Sequence, residues 1–336
     1  MTCNTVPVQS VVNNLPSNYL SLLDSAWQQH LAPRADNAPT VISTFAGCGG
    51  SSLGYSMAGY RELTAVELND NAAATFALNF PDVPIYKGDI ALLPVNQILA
   101  TAQLEPGQLD VLDGSPPCQG FSTAGKRMID DPRNQLFREY VRLIEGLQPK
   151  VFVMENVSGM VKGKMKLVFV EILTALKACG YRVSCRLLNA MYFNVPQSRQ
   201  RVIFIGIRND IGITPTHPKA QSRPRPATDA TDAIAIKRGF GSINDIRRAK
   251  KYRSTDRPAP TIERDRPPIV HYGDPSNARE ITVLESARLQ SFPDQFQWIG
   301  KEAHERIGNS VPPLFMKAIA EHIRDTVLTP IRVQYD

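Results

Sequence analysis

The 336-residue chain lacks any apolar run approaching the ~20 residues that a membrane-spanning helix needs. Its first residues, MTCNTVPVQSVVNN, contain no basic stretch followed by an apolar one, so we expect no secretory signal. The five cysteines show no pairs at the spacing of a zinc site, so we expect reduced thiols and no metal. These absences predict a cytoplasmic protein that makes no membrane contact.

The composition excludes a disordered or fibrous chain. Hydrophobic residues make up 43% of the sequence and charged residues 21%, which are ordinary fractions for a globular protein. A chain of this length forms one large domain or two unequal ones. The sequence shows no internal repeat and no low-complexity tract, so a repeat architecture is not expected.

The positive charge is concentrated in one segment. The net charge is +6, and residues 222–266 contain 12 Lys and Arg against six Asp and Glu, so the rest of the chain is neutral overall. A basic segment on a neutral body is typical of an insert that binds a polyanion such as nucleic acid. A solvated surface loop would carry the same charge, and charge alone does not separate the two interpretations.

Short apolar runs alternate with helical patterns from residue 40 to Arg208. The predicted strands are 41–44, 63–67, 83–86, 109–113, 151–155, 181–188 and 201–207, and the predicted helices lie near 52–58, 70–80, 134–146 and 166–179. This alternation predicts an α/β fold, with a doubly wound, mostly parallel sheet covered on both faces. A last helix after Pro312 and Pro313 should pack back onto this body, because its apolar stripe needs a core.

The rest of the chain suggests four segments. Residues 1–39 form an N-terminal arm, and residues 40–208 form a catalytic and cofactor-binding domain. Residues 209–279 are rich in Pro, Arg and Asp and predict a smaller, loop-rich inserted lobe. Residues 280–336 return to the large domain.

A glycine-rich turn, FAGCGGSSLG at 45–54, follows the first predicted strand. Such a turn lets the backbone approach a cofactor closely. Glu67 ends the second strand, where nucleotide-binding sheets place the acid that holds ribose hydroxyls, and Asp89 follows the third strand, where it would meet an adenine amino group. The chain has no GK[ST] motif, so a ligand with adenosine but no phosphate fits best. A tight turn without a ligand is the alternative.

Cys118 stands in GSPPCQGFS, at the end of the fourth predicted strand. Two prolines restrict the backbone before it, and glycines follow it. A cysteine displayed in this way is a candidate nucleophile. Most cysteines are small buried hydrophobes, but this segment is too polar and too kinked for a core strand.

Three further charged residues are candidates. Glu155 ends the apolar strand VFVM, where burial of an acid is costly unless it has a charged or hydrogen-bonding partner or a catalytic role. A surface glutamate is the alternative. Arg199 and Arg201 alternate along PQSRQR, so both are predicted to project from one face of an extended segment. Two guanidinium groups suit carbonyl or phosphate oxygens, and a solvated strand edge is the alternative.

These motifs together resemble the bacterial cytosine-5 DNA methyltransferases. FAGCGGSSLG, GDI, GSPPCQGFS, ENV, QSRQR, RPAPTI and GNSVPP stand in that family's order over roughly residues 40–330. The resemblance implies the fold of S-adenosylmethionine-dependent methyltransferases, double-stranded DNA as substrate, a monomer, and a possible cognate restriction endonuclease. It also implies a target recognition region between QSRQR and RPAPTI.

The resemblance assigns roles to individual residues. Cys118 would attack carbon 6 of a flipped cytosine, Glu155 would hold nitrogen 3 and the amino group, and Arg201 would contact the carbonyl oxygen, with Arg199 beside it. The implied S-adenosylmethionine pocket comprises Phe45, Ala46, Gly47, Gly49, Gly50, Glu67, Leu68, Asp89, Ile90, Pro117, Asn309 and Val311. The DNA contacts expected are Gln119, Ser122, Arg247, Arg248, Lys250, Lys251 and Arg253.

Two features depart from the family pattern. Ser43 stands where many relatives carry an acid, so one hydrogen bond of the cofactor loop should differ. The recognition region is short, which predicts a short target site or strong reliance on phosphate contacts. The target sequence itself does not follow from the residues.

Three rival functions remain. An RNA cytosine methyltransferase of the same fold typically reads Pro-Pro-Cys-Gln-Pro-Phe and has a downstream Cys-Phe-Thr, whereas this chain has Gly120 and no Cys-Phe-Thr. A non-catalytic nucleic-acid-binding module predicts damage to the nucleophile or the cofactor loop, and both are intact. An S-adenosylmethionine enzyme for small molecules leaves the basic segment unexplained.

Overall fold

The computed structural model describes residues 18–117, 135–161, 165–237, 252–300 and 302–333. The strands of the large sheet are β1 (Thr40–Thr44), β2 (Arg61–Glu67), β3 (Ile85–Lys87), β4 (Val111–Gly114), β5 (Val151–Val157), β6 (Tyr181–Asn189) and β8 (Gln200–Arg208). They are ordered β3-β2-β1-β4-β5-β8-β6. Strands β1 to β5 pair in parallel, and β8 pairs antiparallel with both β5 and β6.

Helices cover both faces of this sheet. They are α1 (Tyr19–Leu31), α2 (Gly50–Met57), α3 (Asp70–Asn79), α4 (Val95–Ala102), α5 (Gln135–Leu147), α6 (Met165–Ala178), α7 (Val283–Leu289), α8 (Ala303–Asn309), α9 (Pro313–Ile323) and α10 (Thr329–Val333). Successive residues of a strand point to opposite faces. Accordingly, Val41 packs in one core with Leu53 and Phe315, and Ile42 packs in the other with Leu143. The prediction of a doubly wound, mostly parallel α/β sheet is confirmed.

Two features of the large sheet were not predicted. Helix α4 spans only eight residues after Pro94 and was not among the predicted helices. Strand β8 inserts between β5 and β6 instead of lying at the edge. The reason is that β6 and β8 form an antiparallel pair joined by a connection of about ten residues, so β8 folds back beside β5. Among the described residues, no helix is long and apolar enough to cross a membrane.

A smaller sheet lies outside the large one. Its strands are β9 (Ala235–Lys237), β10 (Arg253–Ser254), β12 (Ile269–His271) and β13 (Arg279–Glu280), in the order β10-β9-β12-β13 with antiparallel pairing. A separate pair joins β7 (Gln197–Ser198) in parallel to β11 (Ala259–Pro260). This pair ties the RPAPTI segment to the QSRQR segment. The four-segment division of the chain stays a prediction.

The last long helix returns to the large sheet, as predicted. Phe315 and Ile319 on α9 are fully buried in the core that also holds Leu53 of α2. The two helices approach closely at Gly54, where a Cβ would lie 2.6 Å from Met316 Cβ and 2.7 Å from the Pro313 carbonyl oxygen. Backbone atoms cannot move aside as a flexible side chain can. The α2–α9 contact therefore requires glycine at this position.

Gly54→Ala should separate α2 from α9 and lower the free energy of unfolding by about 1–3 kcal/mol, the usual cost of overpacking a filled interface. The measurement is the denaturation midpoint in urea. Gly159→Ala is the matched control, because a Cβ there has no atom within 4 Å. Equal midpoints for the two variants would contradict the proposed close contact.

Candidate active site

The carboxyl ends of β1, β2, β4 and β5 open into a cavity of about 540 Å3. Doubly wound sheets bind ligands at this edge, and pockets for small molecules measure roughly 300–1,000 Å3. The predicted site residues that line the cavity are Phe45, Ala46, Gly47, Gly50, Glu67, Leu68, Asp89, Ile90, Pro117, Glu155, Arg199, Arg201, Asn309 and Val311. Residues that are far apart in sequence therefore share one cavity.

Two predicted residues lie away from the cavity lining. Gly49 precedes α2 with φ of 97°, and a Cβ there would lie 2.5 Å from the Phe80 ring, so packing requires glycine at this position. Arg253 is exposed on β10 of the smaller sheet. The other predicted residues, Cys118, Gln119, Ser122, Arg247, Arg248, Lys250 and Lys251, lie outside the described residues.

The glycine-rich turn forms one wall of the cavity. Gly47 has φ of 57°, in the left-handed region, and a Cβ built on it meets no atom within 4 Å. Gly50, at the start of α2, is closed in: a Cβ there would lie 2.4 Å from the Val311 carbonyl oxygen. The turn thus offers open space at Gly47 and touches the GNSVPP segment at Gly50.

The Glu67 carboxylate is held by backbone donors at the end of β2. Its Oε2 accepts a hydrogen bond from Gly47 N at 2.7 Å, and its Oε1 accepts one from Asn69 N at 2.8 Å. A carboxylate has about four acceptor sites, so two remain for hydroxyl donors. A phosphate at this position would need the Gly47 N–H as a donor, but the Glu67 carboxylate already accepts from it. The negative charge of Glu67 would also repel the phosphate.

Asp89 is held in the same manner at the end of β3. Its Oδ1 accepts from Ala91 N at 2.9 Å and caps the short 3-10 turn Ile90–Leu92. Ile90 is buried beneath the cavity. Phe45 lies on the same side with φ of 55°, an uncommon conformation for an aromatic residue. An apolar surface flanked by fixed carboxylates suits a nucleoside.

Glu155 and Arg201 form an ion pair at the opposite wall. Arg201 Nε lies 2.6 Å from Glu155 Oε1, and the two side chains are 14% and 10% exposed. The antiparallel register pairs Glu155 with Ile203 and Val157 with Arg201, so the ionic partners are diagonal neighbours on one face. Partial burial with a charged partner makes this a fixed donor and acceptor pair.

Arg199 has different partners from Arg201. Its side chain is 1% exposed, and it donates to the carbonyl oxygens of Ile262 at 3.2 Å and Gly308 at 2.8 Å. Burial, and then the nearby Arg201 charge, lower the pKa of Arg199. Although both arginines line the cavity, Arg199 joins the RPAPTI and GNSVPP segments beneath it.

The segment leading to Cys118 is anchored by a residue that the sequence did not single out. Asn156, after Glu155 in ENV, donates from Nδ2 to the Pro116 carbonyl oxygen at 3.1 Å and is 5% exposed. Ser115, Pro116 and Pro117 line the cavity. Asn156 therefore ties the end of β5 to the residues that immediately precede Cys118.

A buried chain of amides was also missed. Gln197 Nε2 donates to Gln290 Oε1 at 2.6 Å, and Gln290 Nε2 donates to the Ser310 carbonyl oxygen at 2.6 Å. Gln197 Oε1 accepts from Ile262 N at 3.0 Å. The signal that could have identified these residues was a glutamine in a buried segment, at QSF (290–292) and at QSR (197–199). Buried amides need partners, and here the partners are the segments around the cavity.

The basic residues at the cavity rim are paired. Arg264 contacts Asp265 at 2.8 Å and Glu305 at 3.1 Å, and Arg306 lies 4.0 Å from Glu302. These pairs leave less positive charge for a phosphate than the arginines alone would suggest. The balance again suits a ligand without phosphate.

Ser43, the departure noted in the first strand, is fully buried. Its Oγ lies 3.3 Å from Ser52 Oγ, on the first turn of α2. Ser52 Oγ also lies 2.9 Å from Glu62 Oε1. Ser43 is therefore part of a buried polar cluster between β1, β2 and α2.

The sequence has known relatives over most of its length. Residues 39–257 and 236–325 match the family described as C-5 cytosine-specific DNA methylase. The chain is 35% identical over 326 residues to Type II methyltransferase M1.HphI of Haemophilus parahaemolyticus, which covers 84% of this chain and 86% of that protein. It is 32% identical to Type II methyltransferase M.NgoPII of Neisseria gonorrhoeae, with 89% and 99% covered.

Solved structures share the fold. A prophage-encoded protein of Escherichia coli superposes with a TM-score of 0.69 at 25% identity and covers 87% of this chain and 100% of its own. A variant of Spodoptera frugiperda DNMT2 superposes with a TM-score of 0.66 at 21% identity, covering 85% and 99%. With a family match that extends over both the cavity and the smaller sheet, the chain belongs to the C-5 cytosine-specific DNA methylases.

Proposed function

We propose that this protein transfers a methyl group from S-adenosylmethionine to carbon 5 of a flipped cytosine in a short duplex DNA site, through a covalent adduct with Cys118. The observation that supports this function best is the composition of one cavity. Fixed carboxylates and glycines line one wall, and the Glu155–Arg201 pair and the Pro-Pro segment line the other. A nucleoside cofactor and a pyrimidine base would thus meet between them.

The residues of the first wall fit S-adenosylmethionine. Glu67 has acceptor sites left for ribose hydroxyls, Asp89 in the cavity lining would accept from the adenine amino group, and Phe45 would offer an apolar face. Gly47 leaves room for close approach to the backbone. Bound there, the cofactor supplies an electrophilic methyl group on a sulfonium.

Cys118 would act as the nucleophile. Carbon 5 of cytosine is a weak nucleophile until a thiolate adds to carbon 6, which makes carbon 5 enamine-like. Loss of the carbon-5 proton to solvent after methyl transfer then expels the thiolate. Asn156 and the two prolines would fix the approach of Cys118 by anchoring the residues before it.

Glu155 and Arg201 would hold the target base. Glu155 accepts from the amino group and supports a proton at nitrogen 3, where charge develops during addition. Arg201 donates to the carbonyl oxygen while its contact with Glu155 fixes both side chains. Arg199 would act as a positioning residue, because its two terminal nitrogens donate to the Ile262 and Gly308 carbonyls, and its buried Nε has no hydrogen-bond partner among the described residues.

DNA would lie between the cavity and residues 209–279, which we propose as the target recognition lobe between the segments 40–208 and 280–336. Extrusion of the base is required, because the reacting carbon is inaccessible within a duplex. The relatives named Type II methyltransferases support a role beside a restriction endonuclease. Within the described part of the lobe, Arg225 is paired with Asp229. The basic cluster at 247–253 is where we expect phosphate contacts.

Cys118→Ser should abolish methyl transfer and should not form an adduct with a duplex containing 5-fluorocytosine. The wild-type enzyme should be trapped on that duplex, because fluorine cannot leave carbon 5 as a proton does. Denaturing gels and transfer of a radiolabelled methyl group to DNA and to RNA are the measurements. Cys185→Ser is the thiol control. Full turnover by Cys118→Ser would contradict the nucleophile assignment, and transfer to RNA alone would contradict the substrate.

Glu67→Gln should weaken S-adenosylmethionine binding by about 1–3 kcal/mol, the cost of losing a charged hydrogen-bond partner. An amide presents its NH2 to one of the two backbone N–H donors, so the side chain can no longer satisfy both. Titration calorimetry measures the effect, with Glu105→Gln on the surface as the matched control. Unchanged affinity would contradict the ribose role of Glu67.

Lys250→Gln together with Lys251→Gln should weaken binding to all duplexes about equally. The slope of log affinity against log salt should also become shallower, by about one unit for each phosphate that the variant no longer neutralises. Binding to a target and a random duplex at several salt concentrations tests this, with exposed Lys177 and Arg61, outside the proposed recognition lobe, changed to Gln as the control. An unchanged slope would indicate a solvated loop, and weaker binding confined to the target duplex would indicate base readout.

A further inference from the structure

A polar cluster is buried between the central strands and α2, in an otherwise apolar core. Its members are Ser43, Ser51, Ser52, Tyr55, Glu62 and Asp113. Ser43, Ser52 and Tyr55 are fully buried, and Asp113 is 2% exposed. None of these side chains has a part in the chemistry described above. Burial of an ionised group is costly, so two carboxyl groups in an apolar core indicate a structural or functional role.

The two carboxyls flank Ser43 on the neighbouring strands. Asp113 on β4 is the cross-strand partner of Ser43 on β1, and Glu62 lies on β2, at the irregularity in the β1–β2 register. Asp113 Oδ1 accepts from the Tyr55 hydroxyl at 3.2 Å, and Glu62 Oε1 accepts from Ser52 Oγ at 2.9 Å. Glu62 Oε2 is buried without a hydrogen-bond partner among the described residues.

Both carboxyls favour the protonated state. Burial raises the pKa of Glu62 to about 7, against hydrogen bonds from Ser43 and Ser52. Burial, and then the Glu62 charge, raise the pKa of Asp113 to about 8. Near neutral pH the two buried carboxyls therefore hold at least one proton between them.

The pair lies directly beneath both walls of the cavity. Ser51 hydrogen-bonds to Asp113 and also lines the cavity at the start of α2. Asp113 is followed by Gly114 and then by Ser115 and Pro116, which line the opposite wall. A change in charge at Asp113 would thus act on the glycine-rich turn and on the segment before Cys118 at once.

We propose that Glu62 and Asp113 are positioning residues that between them retain a proton and thereby hold Ser51 and α2 in the geometry that binds the nucleoside cofactor. This inference rests on the proposed function of the cavity. When both carboxyls ionise, their repulsion across Ser43 pushes β2, β4 and α2 apart, so affinity for the cofactor falls. The other titratable groups that face Asp113 are Tyr55, Tyr140 and Glu155.

The sign of the pH dependence follows from the direction of the shifts. In the unfolded chain both acids ionise near pH 4, whereas the folded protein retains their protons up to about pH 7 and 8. The folded state therefore binds more protons across this range, and stability falls as the pH rises through it. Glu62→Gln and Asp113→Asn keep the shape of each side chain but remove its ionisation.

The test measures two quantities from pH 6 to 8.5: the urea midpoint of unfolding, and the affinity for S-adenosylhomocysteine by calorimetry. Over this range, the fold-decrease in wild-type affinity should be about three to ten times that of either variant. Loss of one proton lowers the affinity by at most tenfold for each pH unit. Ionisation of S-adenosylhomocysteine itself affects its binding to wild type and to the variants equally, so it cancels in the ratio of their affinities. Glu105→Gln on the surface should follow the wild-type profile.

Two further variants test the pair itself. Tyr55→Phe removes a donor that favours the ionised Asp113, so the wild-type transition should move to higher pH. Ser43→Asp combined with Asp113→Ser moves the carboxyl to its cross-strand partner and should restore the pH-dependent affinity. Ser43→Asp alone places a third acid in the cluster and should weaken affinity at every pH.

Parallel profiles for wild type, Glu62→Gln and Asp113→Asn in both measurements would overturn the proposal. A second outcome would also overturn it: the variants lose the pH dependence of the urea midpoint, but the ratio of wild-type to variant affinity stays the same at every pH. The pair would then stabilise the fold without affecting cofactor binding. If wild type binds no S-adenosylhomocysteine at any pH, the proposed cofactor has failed, and the positioning role falls with it. The midpoint profile would then still show whether the pair retains a proton near neutral pH.

Discussion

The close approach of α2 to the returning C-terminal segment is the contact on which the site depends. At Gly50 and Gly54 there is no space for a side chain, because the Val311 and Pro313 carbonyl oxygens lie against them. Cys48 adds a buried contact with Ser310 at 3.1 Å. The packing of α9 on α2 holds the GNSVPP segment where it lines the cavity. The cavity is thus a product of the completed fold.

Buried polar side chains hold the other walls in place. Gln197, Gln290, Arg199 and Asn156 each bond to the backbone of a segment distant in sequence. An apolar contact would tolerate sliding, whereas an unsatisfied buried polar group is expensive, so these bonds favour one arrangement. They place the Glu155–Arg201 pair and the segment before Cys118 at fixed positions around a single cavity.

Much of the architecture was predictable because buried parallel strands are continuous apolar runs. The carboxyl ends of such strands meet at one edge, so Glu67, Asp89 and Glu155 were expected to converge there, and all three line the cavity. The position of β8 between β5 and β6 was not predictable in this way. Strand order depends on which edge is free when the hairpin folds back, and the hydrophobic pattern carries no such information.

The residues alone determined the alternating elements, the family and the chemistry-bearing motifs, because each is encoded in local pattern and order. Only the tertiary structure decided what neighbouring residues do. Arg199 and Arg201 alternate in sequence, yet one binds two backbone carbonyls and the other pairs with Glu155. Glu62 and Asp113 come together across Ser43 because strand register and the packing of α2 set distances that no local pattern contains.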